Sequence, residues 1–415
     1  MKSIEEIMKI AGNCLNCKRP LCSIEGCPVN TNIPGFISAI KENNLAAAYY
    51  ILQENNIMSD ICSLVCPTEN QCMGKCVKGI KGEPVKINEL ENFVNLWAKK
   101  NNIKCAINCD IKNNKKIAVI GAGPSGIACS IELAKKGFNV TIFEKEAELG
   151  GILRYGIPDF RLEKKLIDDL TEKIKSLNVN IKTSISFGRD ITIEDLKKDN
   201  YEAIFLSIGA TKSSTYKLSD NNSKIYNADD ILKKYNNGIL ENLGKVVVIG
   251  GGNVAMDAAR TCKKAGAKKV SILYRRDLES MPARRVEIED TINDGIEIEY
   301  LTKVIGCTYE VENIKEITCT RTKMVDGRII DIENSDFMLE VDNIIFAIGL
   351  YPDNELLEKN DLLLKNGLLE VDSNQMTNIP GVFAGGDLID AKSSVCRAIK
   401  MGKVAAKNIE KYVIK

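Results

Sequence analysis

Histidine is absent from all 415 residues. That removes Ser-His and Cys-His nucleophilic catalysis and any His-ligated zinc or haem. Excess charge of one sign is also missing, because 57 Lys and Arg face 56 Asp and Glu and leave a formal charge of +1. No global field points to nucleic acid or to an anionic membrane surface, so no polyanion partner is expected. Long apolar runs are missing too. Nothing approaches the ~18 residues of a membrane helix, and the opening MKSIEEIMKIAGNC has no signal-peptide core. With no low-complexity tract either, the expectation is a folded cytoplasmic protein, with neither a membrane nor a nucleic acid as partner.

The length suggests two or three domains at roughly 150 residues each. Cysteine is plentiful, at 15 residues. A cytosolic chain keeps thiols reduced, so metal or redox use outranks a disulfide framework. Eight cysteines fall in the first 76 residues: Cys14, Cys17, Cys22, Cys27, Cys62, Cys66, Cys72 and Cys76. Residues 1–110 therefore read as a separate module. Its two cysteine quartets are separated by IPGFISAIKENNLAAAYYILQENN, whose apolar residues fall at helical spacing. The runs C-x2-C-x4-C-x4-C-P and C-x3-C-P-x5-C-x3-C contain only one CxxC knuckle, Cys14 with Cys17. Cys27 and Cys66 precede proline as the last ligand does in ferredoxin-like runs, which favours thiolate iron–sulfur clusters over zinc. A run need not equal a cluster, so spacing leaves the ligand assignment open. Cys129, Cys262, Cys307, Cys319 and Cys396 stand singly and read as core thiols.

After a polar linker near 110–115, KKIAVIGAGPSGIACSIELAKKGFNVTIFEK switches to strand, glycine turn, helix and strand. Gly121, Gly123 and Gly126 form G-x-G-x-x-G at the helix N-terminus, where backbone can approach a pyrophosphate. Glu144 ends the second strand, the place of a carboxylate that binds ribose hydroxyls. The same grammar returns in GKVVVIGGGNVAMDAARTCKKAGAKKVSILYRR. Here Gly252-Asn253-Val254-Ala255 opens the helix, and Arg275 and Arg276 stand where an acid would. Two guanidiniums suit a 2′-phosphate and favour NADPH over NADH. Near the C-terminus, Gly386 and Asp387 follow a short apolar strand and precede a helix starting near 393–395. Such an Asp can bond a ribityl chain, and such a helix N-terminus can stabilise negative charge on a reduced flavin.

CLNCKRPLCSIEGCPVNTNIPGFI, ICSLVCPTENQC, VIGAGPSGIACSIELAKKG, GGILRYGIPDFRL, VIGGGNVAMDAAR, YRRDLESMPARR and GVFAGGDL together resemble one family over nearly the whole chain. It is that of the glutamate synthase small (beta) subunit, with the N-terminal half of dihydropyrimidine dehydrogenase and the NADPH-side flavoprotein of ferredoxin:NADP transhydrogenases. The resemblance implies an α/β protein with two Rossmann-like domains behind an α-helical iron–sulfur domain, the FAD domain being split by an inserted NADPH domain. The implied bounds are 1–110 for the helical domain, 111–212 with 346–415 for FAD, and 213–345 for NADPH. It implies FAD, NADPH and two [4Fe-4S] clusters. One cluster takes Cys14, Cys17, Cys22 and Cys76. The other takes Cys27, Cys66 and Cys72 with Glu91, which lies in VKINELENF, leaving Cys62 a bystander. For FAD the resemblance implies Gly121, Gly123, Pro124, Ser125, Gly126, Glu144, Lys145, Gly151, Ile152, Arg161, the backbone near Val65, Gly386, Asp387, Ser394 and Val395. For NADPH it implies Gly252, Asn253, Val254, Ala255, Arg275, Arg276, Ala347 and Gly349.

The expected function is NADPH-linked electron transfer. Hydride moves between nicotinamide and flavin at about 3–3.5 Å, and single electrons pass through the clusters to or from a catalytic or electron-accepting protein subunit. No protein acid or base is needed, since the cofactor carries the chemistry. Thirteen residues precede Cys14, against a longer arm in the family that helps dock the catalytic partner. No glutaminase nucleophile or FMN barrel accompanies them, so glutamate formation is not expected of this chain alone. A transhydrogenase or sulfide-dehydrogenase role would use the same parts. A non-catalytic iron–sulfur sensor would not need both intact nucleotide turns.

Overall fold

The structure, a computed structural model, describes residues 2–105, 109, 113–219, 223–390 and 394–414. Residues 110–112 of the expected linker, and Ser393 at the expected helix start, lie outside them. The backbone divides into two compact units. One comprises Met1–Leu153, Arg161–Ala210 and Pro352–Lys415; the other comprises Arg154–Phe160 and Thr211–Tyr351.

The first unit begins with helices Ile4–Gly12, Ile33–Lys41, Leu45–Asn55, Ser59–Val65 and Ile87–Lys100. Local signals start them: Ser3 caps the first in a reciprocal box with Glu6, and Asn32 and Asn44 cap the second and third. Their apolar faces bury Phe36, Ile37, Leu52, Leu90 and Val94 in one core. Cys14, Cys22, Cys27 and Cys76 pack on the edge of that core. In the same unit, strands run in the order Val382–Ala384, Ala203–Leu206, Lys116–Ile120, Asn139–Phe143, Asn180–Lys182, all parallel. The strand Lys116–Ile120 is buried along four of its five residues, as a strand covered on both faces must be. The helices contact this layer through a Lys99–Asp169 ion pair at 2.8 Å and a Lys403 Nζ bond to the Asn55 carbonyl at 2.7 Å.

The second unit repeats the pattern. Its parallel sheet runs Ile225–Asn227, Asn343–Phe346, Lys245–Ile249, Lys269–Leu273, Glu297–Glu299. In both sheets the strand that feeds the glycine turn lies between the next strand in sequence and a much later one. This reversal of strand order is where doubly wound sheets leave a crevice for ligands. An antiparallel sheet, Thr302–Glu310, Asn313–Val325, Arg328–Asp331 and Phe337–Leu339, completes the unit. No helix among the described residues is long and apolar enough to cross a membrane.

Candidate functional site

The first glycine turn is shaped by contacts no larger residue could make. Gly121 has φ +96°, and a Cβ on Gly126 would lie 2.0 Å from the Gly121 carbonyl oxygen. Gly123, at the N-cap of helix Pro124–Lys135, has nothing within 4 Å of a would-be Cβ and no side-chain cap. Open space and uncapped N–H groups therefore meet at one point, as an anion requires. Gly151 has φ +51°, and a Cβ added to it would lie 2.9 Å from the Gly123 Cα. The short helix Ile152–Tyr155 follows, with the Ile152 side chain exposed.

Glu144 is buried and accepts from the backbone N–H of Ala122 at 2.6 Å and of Glu146 at 2.9 Å. Burial holds its carboxyl above the usual range. Lys145 points to solvent, Arg161 is half-buried, and Val65 ends its helix in a buried position. Gly386 and Asp387 lie in the 3-10 turn Gly386–Leu388. Ser394 precedes the C-terminal helix Val395–Val413 without capping it. Ser125 Oγ is buried without a hydrogen-bond partner among the described residues, and a Cβ on Gly385 would meet it at 3.0 Å. An orphaned hydroxyl, an uncapped helix and an engaged acid at one turn fit a dinucleotide with polar atoms to share.

In the second unit, Gly250 has φ +152°, and a Cβ there would meet the Ala347 carbonyl oxygen at 2.3 Å. The Tyr274 ring covers Gly251, leaving no room for a Cβ (2.4 Å). Gly252 is open and caps helix Asn253–Lys264 without a side-chain bond. Asn253 Oδ1 accepts the Arg284 N–H at 2.9 Å, tying the segment after the arginines to the helix start. Ala255 is fully buried and Val254 exposed. Arg275 is exposed, whereas Arg276 is partly buried with its Nε unpartnered among the described residues. Gly349, with φ +115°, is exposed, and its carbonyl accepts the Ser214 N–H.

The cysteines sort by space, not by run. Cys14, Cys17, Cys22 and Cys76 line one small pocket, three from the first run and one from the second. A π-helical turn, Cys22–Gly26, separates Cys22 from Cys27. Gly26 lets the runs interleave, since a Cβ there would lie 2.8 Å from the Cys72 Cα. The Glu91 carboxyl acts electrostatically on Cys27, Cys72 and Cys62. Burial pushes Cys27 up to about 11 and Glu91 up to about 8. Such thiols stay protonated until a metal displaces the proton. Among the described residues no three Cys, Asp or Glu side chains converge closely enough for a single metal ion.

Cys396 departs from its expected reading as an isolated core thiol. It bonds Cys66 and Gln71, and the Cys66 bond lowers it to about 7. Gln71, Ser207 and Gly402 are further residues that sequence reasoning passed over. Ser207 Oγ donates to the Ile120 and Gly121 carbonyls at 3.0 and 2.9 Å, beneath the first turn. Only Gly402, a lone glycine inside a helical pattern, left a readable signal.

Two doubly wound sheets with open glycine turns, behind a thiol-rich helical segment, define a nucleotide-dependent redox protein. Residues 115–404 match the pyridine nucleotide-disulphide oxidoreductase family, and residues 1–103 match the family described as dihydropyrimidine dehydrogenase domain II, 4Fe-4S cluster. The chain is 30% identical to the glutamate synthase (NADPH) small chain of Escherichia coli (strain K12), over 97% of this chain and 90% of that one. It is 31% identical to the NAD-dependent dihydropyrimidine dehydrogenase subunit PreT of the same organism, over 98% and 94%. It is also 31% identical to the NADP(+)-dependent formate dehydrogenase subunit beta of Moorella thermoacetica, over 94% of this chain but only 59% of that longer one. Mycobacterium tuberculosis FprA in complex with NADPH shares the fold, with a TM-score of 0.61 at 15% identity over 72% of this chain and 85% of that one. The chain belongs to the pyridine nucleotide-disulphide oxidoreductase family and carries a 4Fe-4S domain at its N-terminus. It is an NAD(P)H-dependent FAD oxidoreductase working in iron–sulfur electron transfer.

Proposed function

We propose that this protein moves electrons between NADPH and a separate protein subunit through FAD and two [4Fe-4S] clusters. The observation that carries the proposal is the grouping of thiols. Four line one pocket, and a second group lies beside Glu91, within the same compact unit as the first glycine turn. When bound, FAD supplies hydride exchange and single-electron release, and the clusters carry those electrons one at a time.

In this reading the chain's residues bind and orient. Gly123, Ser125 and Gly126 present backbone N–H groups to the FAD pyrophosphate, with Gly121 shaping the turn and Pro124 opening the helix; Glu144 takes a ribose hydroxyl, and Lys145 flanks it. Gly151, Ile152, Arg161, the Val65 backbone, Gly386, Asp387, Ser394 and Val395 hold the flavin end. Gly252, Asn253, Val254 and Ala255 receive the NADPH pyrophosphate, Arg275 and Arg276 its 2′-phosphate, and Ala347 and Gly349 the nicotinamide side. Cys14, Cys17, Cys22 and Cys76 hold one cluster; Cys27, Cys66, Cys72 and Glu91 hold the other. The domain bounds expected from sequence carry over to this reading, as does a cytoplasmic location. A partner subunit is supported by relatives that are themselves named as chains or subunits of larger enzymes.

The test is cofactor content. Anaerobically purified protein should hold about one FAD and about eight irons per chain, and NADPH should bleach the flavin absorbance. A colourless protein with stoichiometric zinc contradicts the proposal.

A further inference from the structure

The loop that brings Cys14 to the four-thiol pocket is gripped by a lysine that the ligand assignment does not use. Lys41 is the last residue of the helix Ile33–Lys41. A lysine at a helix C-terminus commonly serves the last carbonyls of its own helix or their dipole. Lys41 instead reaches back 27 positions, and its Nζ donates to the main-chain carbonyl of Cys14 at 2.7 Å. Glu42, the acid next to it, accepts from the Ser38 hydroxyl at 3.5 Å. Among the described residues no carboxylate pairs with Lys41. On the other side of the same residue, the Cys14 N–H donates to the Ala11 carbonyl at 3.0 Å. Cys14 is therefore fixed at both its peptide groups, by the first helix at one and by a half-buried cation at the other. Lys75 also lines the pocket, but it lies in solvent.

We infer that Lys41 is a positioning residue for electron transfer, pinning the Cys14 loop and raising, through its positive charge, the reduction potential of the cluster held by Cys14, Cys17, Cys22 and Cys76. The inference rests on the cluster reading above. Reduction adds negative charge to a cluster, so a cation held nearby stabilises the reduced form more than the oxidised one. The Lys41 ammonium is held by a carbonyl that belongs to a ligand residue itself, and partial burial limits the screening of its charge. An exposed lysine such as Lys75 is screened by water and salt, and no bond fixes its distance from the pocket.

The test uses the full chain with its cofactors, and EPR-monitored redox titration of both clusters as the readout. Wild-type iron content is measured first. Its absence overturns the cluster reading and this inference together, whereas unchanged potentials in iron-replete variants overturn this inference alone. Cys76→Ser, which removes a ligand, identifies the signal of the four-cysteine cluster. Lys41→Met should keep its iron while that signal, and not the other, moves to lower potential. Lys41→Arg, which keeps the charge, should stay near wild type. Lys41→Gln, which keeps a donor without the charge, should move with Lys41→Met and carries the test if Lys41→Met folds poorly. Lys75→Met should shift the same cluster far less. A Lys41→Gln protein at the wild-type potential, equal shifts from Lys41→Met and Lys75→Met, or a shift confined to the other cluster overturns the inference.

Discussion

Gly402 lies so close to Ser125 that a Cβ added to it would come within 2.1 Å of the Ser125 carbonyl oxygen. The C-terminal helix thereby settles onto the helix Pro124–Lys135 at the turn where the Ser125 hydroxyl has no partner among the described residues. The second turn of the C-terminal helix thus reaches the start of the helix Pro124–Lys135 because Gly402 lacks a methyl group.

Gly402→Ala should cost about 1–3 kcal/mol by forcing the helices apart, lowering the melting temperature and speeding FAD loss. Gly12→Ala, at an open position with nothing within 4 Å, is the control. Identical melting curves for the two variants would contradict the packing argument.

Replacing Arg275 and Arg276 with Ala should raise KM for NADPH far more than for NADH. The difference should be on the order of 2–4 kcal/mol, from lost charged hydrogen bonds to a 2′-phosphate. Equal losses for both coenzymes would reduce the pair to supports of the strand end, where the Arg275 carbonyl accepts from Thr322 and that of Arg276 from Leu301.

Glu91→Ala should lose or convert one cluster while FAD and NADPH still bind, because a carboxylate is a harder and weaker partner for the cluster than thiolate. Cys62→Ala should leave both clusters whole. Iron analysis and the EPR spectrum of the reduced protein decide between them: loss in Cys62→Ala with an intact Glu91→Ala would transfer the ligand role to Cys62, which is buried and bonded to Cys66.

Arg260 pairs with Glu287 at 3.6 Å, Asp290 at 3.2 Å and Asp294 at 2.8 Å, and its guanidinium stacks on Phe160 at 5.0 Å. The Glu287 side chain is only 6% exposed, so Arg260→Ala strands a buried carboxylate. The cost should lie toward the lower end of ~3–5 kcal/mol, since Arg284 also stands 3.6 Å from Glu287. Urea denaturation measures it, and adding Glu287→Gln should recover part of the loss. A double variant no more stable than Arg260→Ala would place the cost in lost packing.

Much of the fold was legible because its signals are local. A strand, a glycine turn and a helix lie within about thirty residues of each other, and positive φ or close backbone approach leaves glycine little competition at Gly121 and Gly250. The contrast between Glu144 and the Arg275–Arg276 pair was readable for the same reason, each standing at the end of the strand after its turn. The helices between the cysteine runs announced themselves through their apolar period.

The amino-acid sequence by itself therefore determined the number and kind of nucleotide turns, the thiol-rich module and the class of chemistry. Only the tertiary structure decided which distant groups face one another. Cys76 joins Cys14, Cys17 and Cys22 because Gly26 lets one loop lie on the backbone of Cys72. Cys396 meets Cys66 and Gln71 because the helix that carries it packs, through Gly402, on the first nucleotide helix. Spacing along a chain encodes backbone shape over a few turns, whereas the meeting of residues 325 positions apart, as with Gln71 and Cys396, depends on how whole apolar faces settle together.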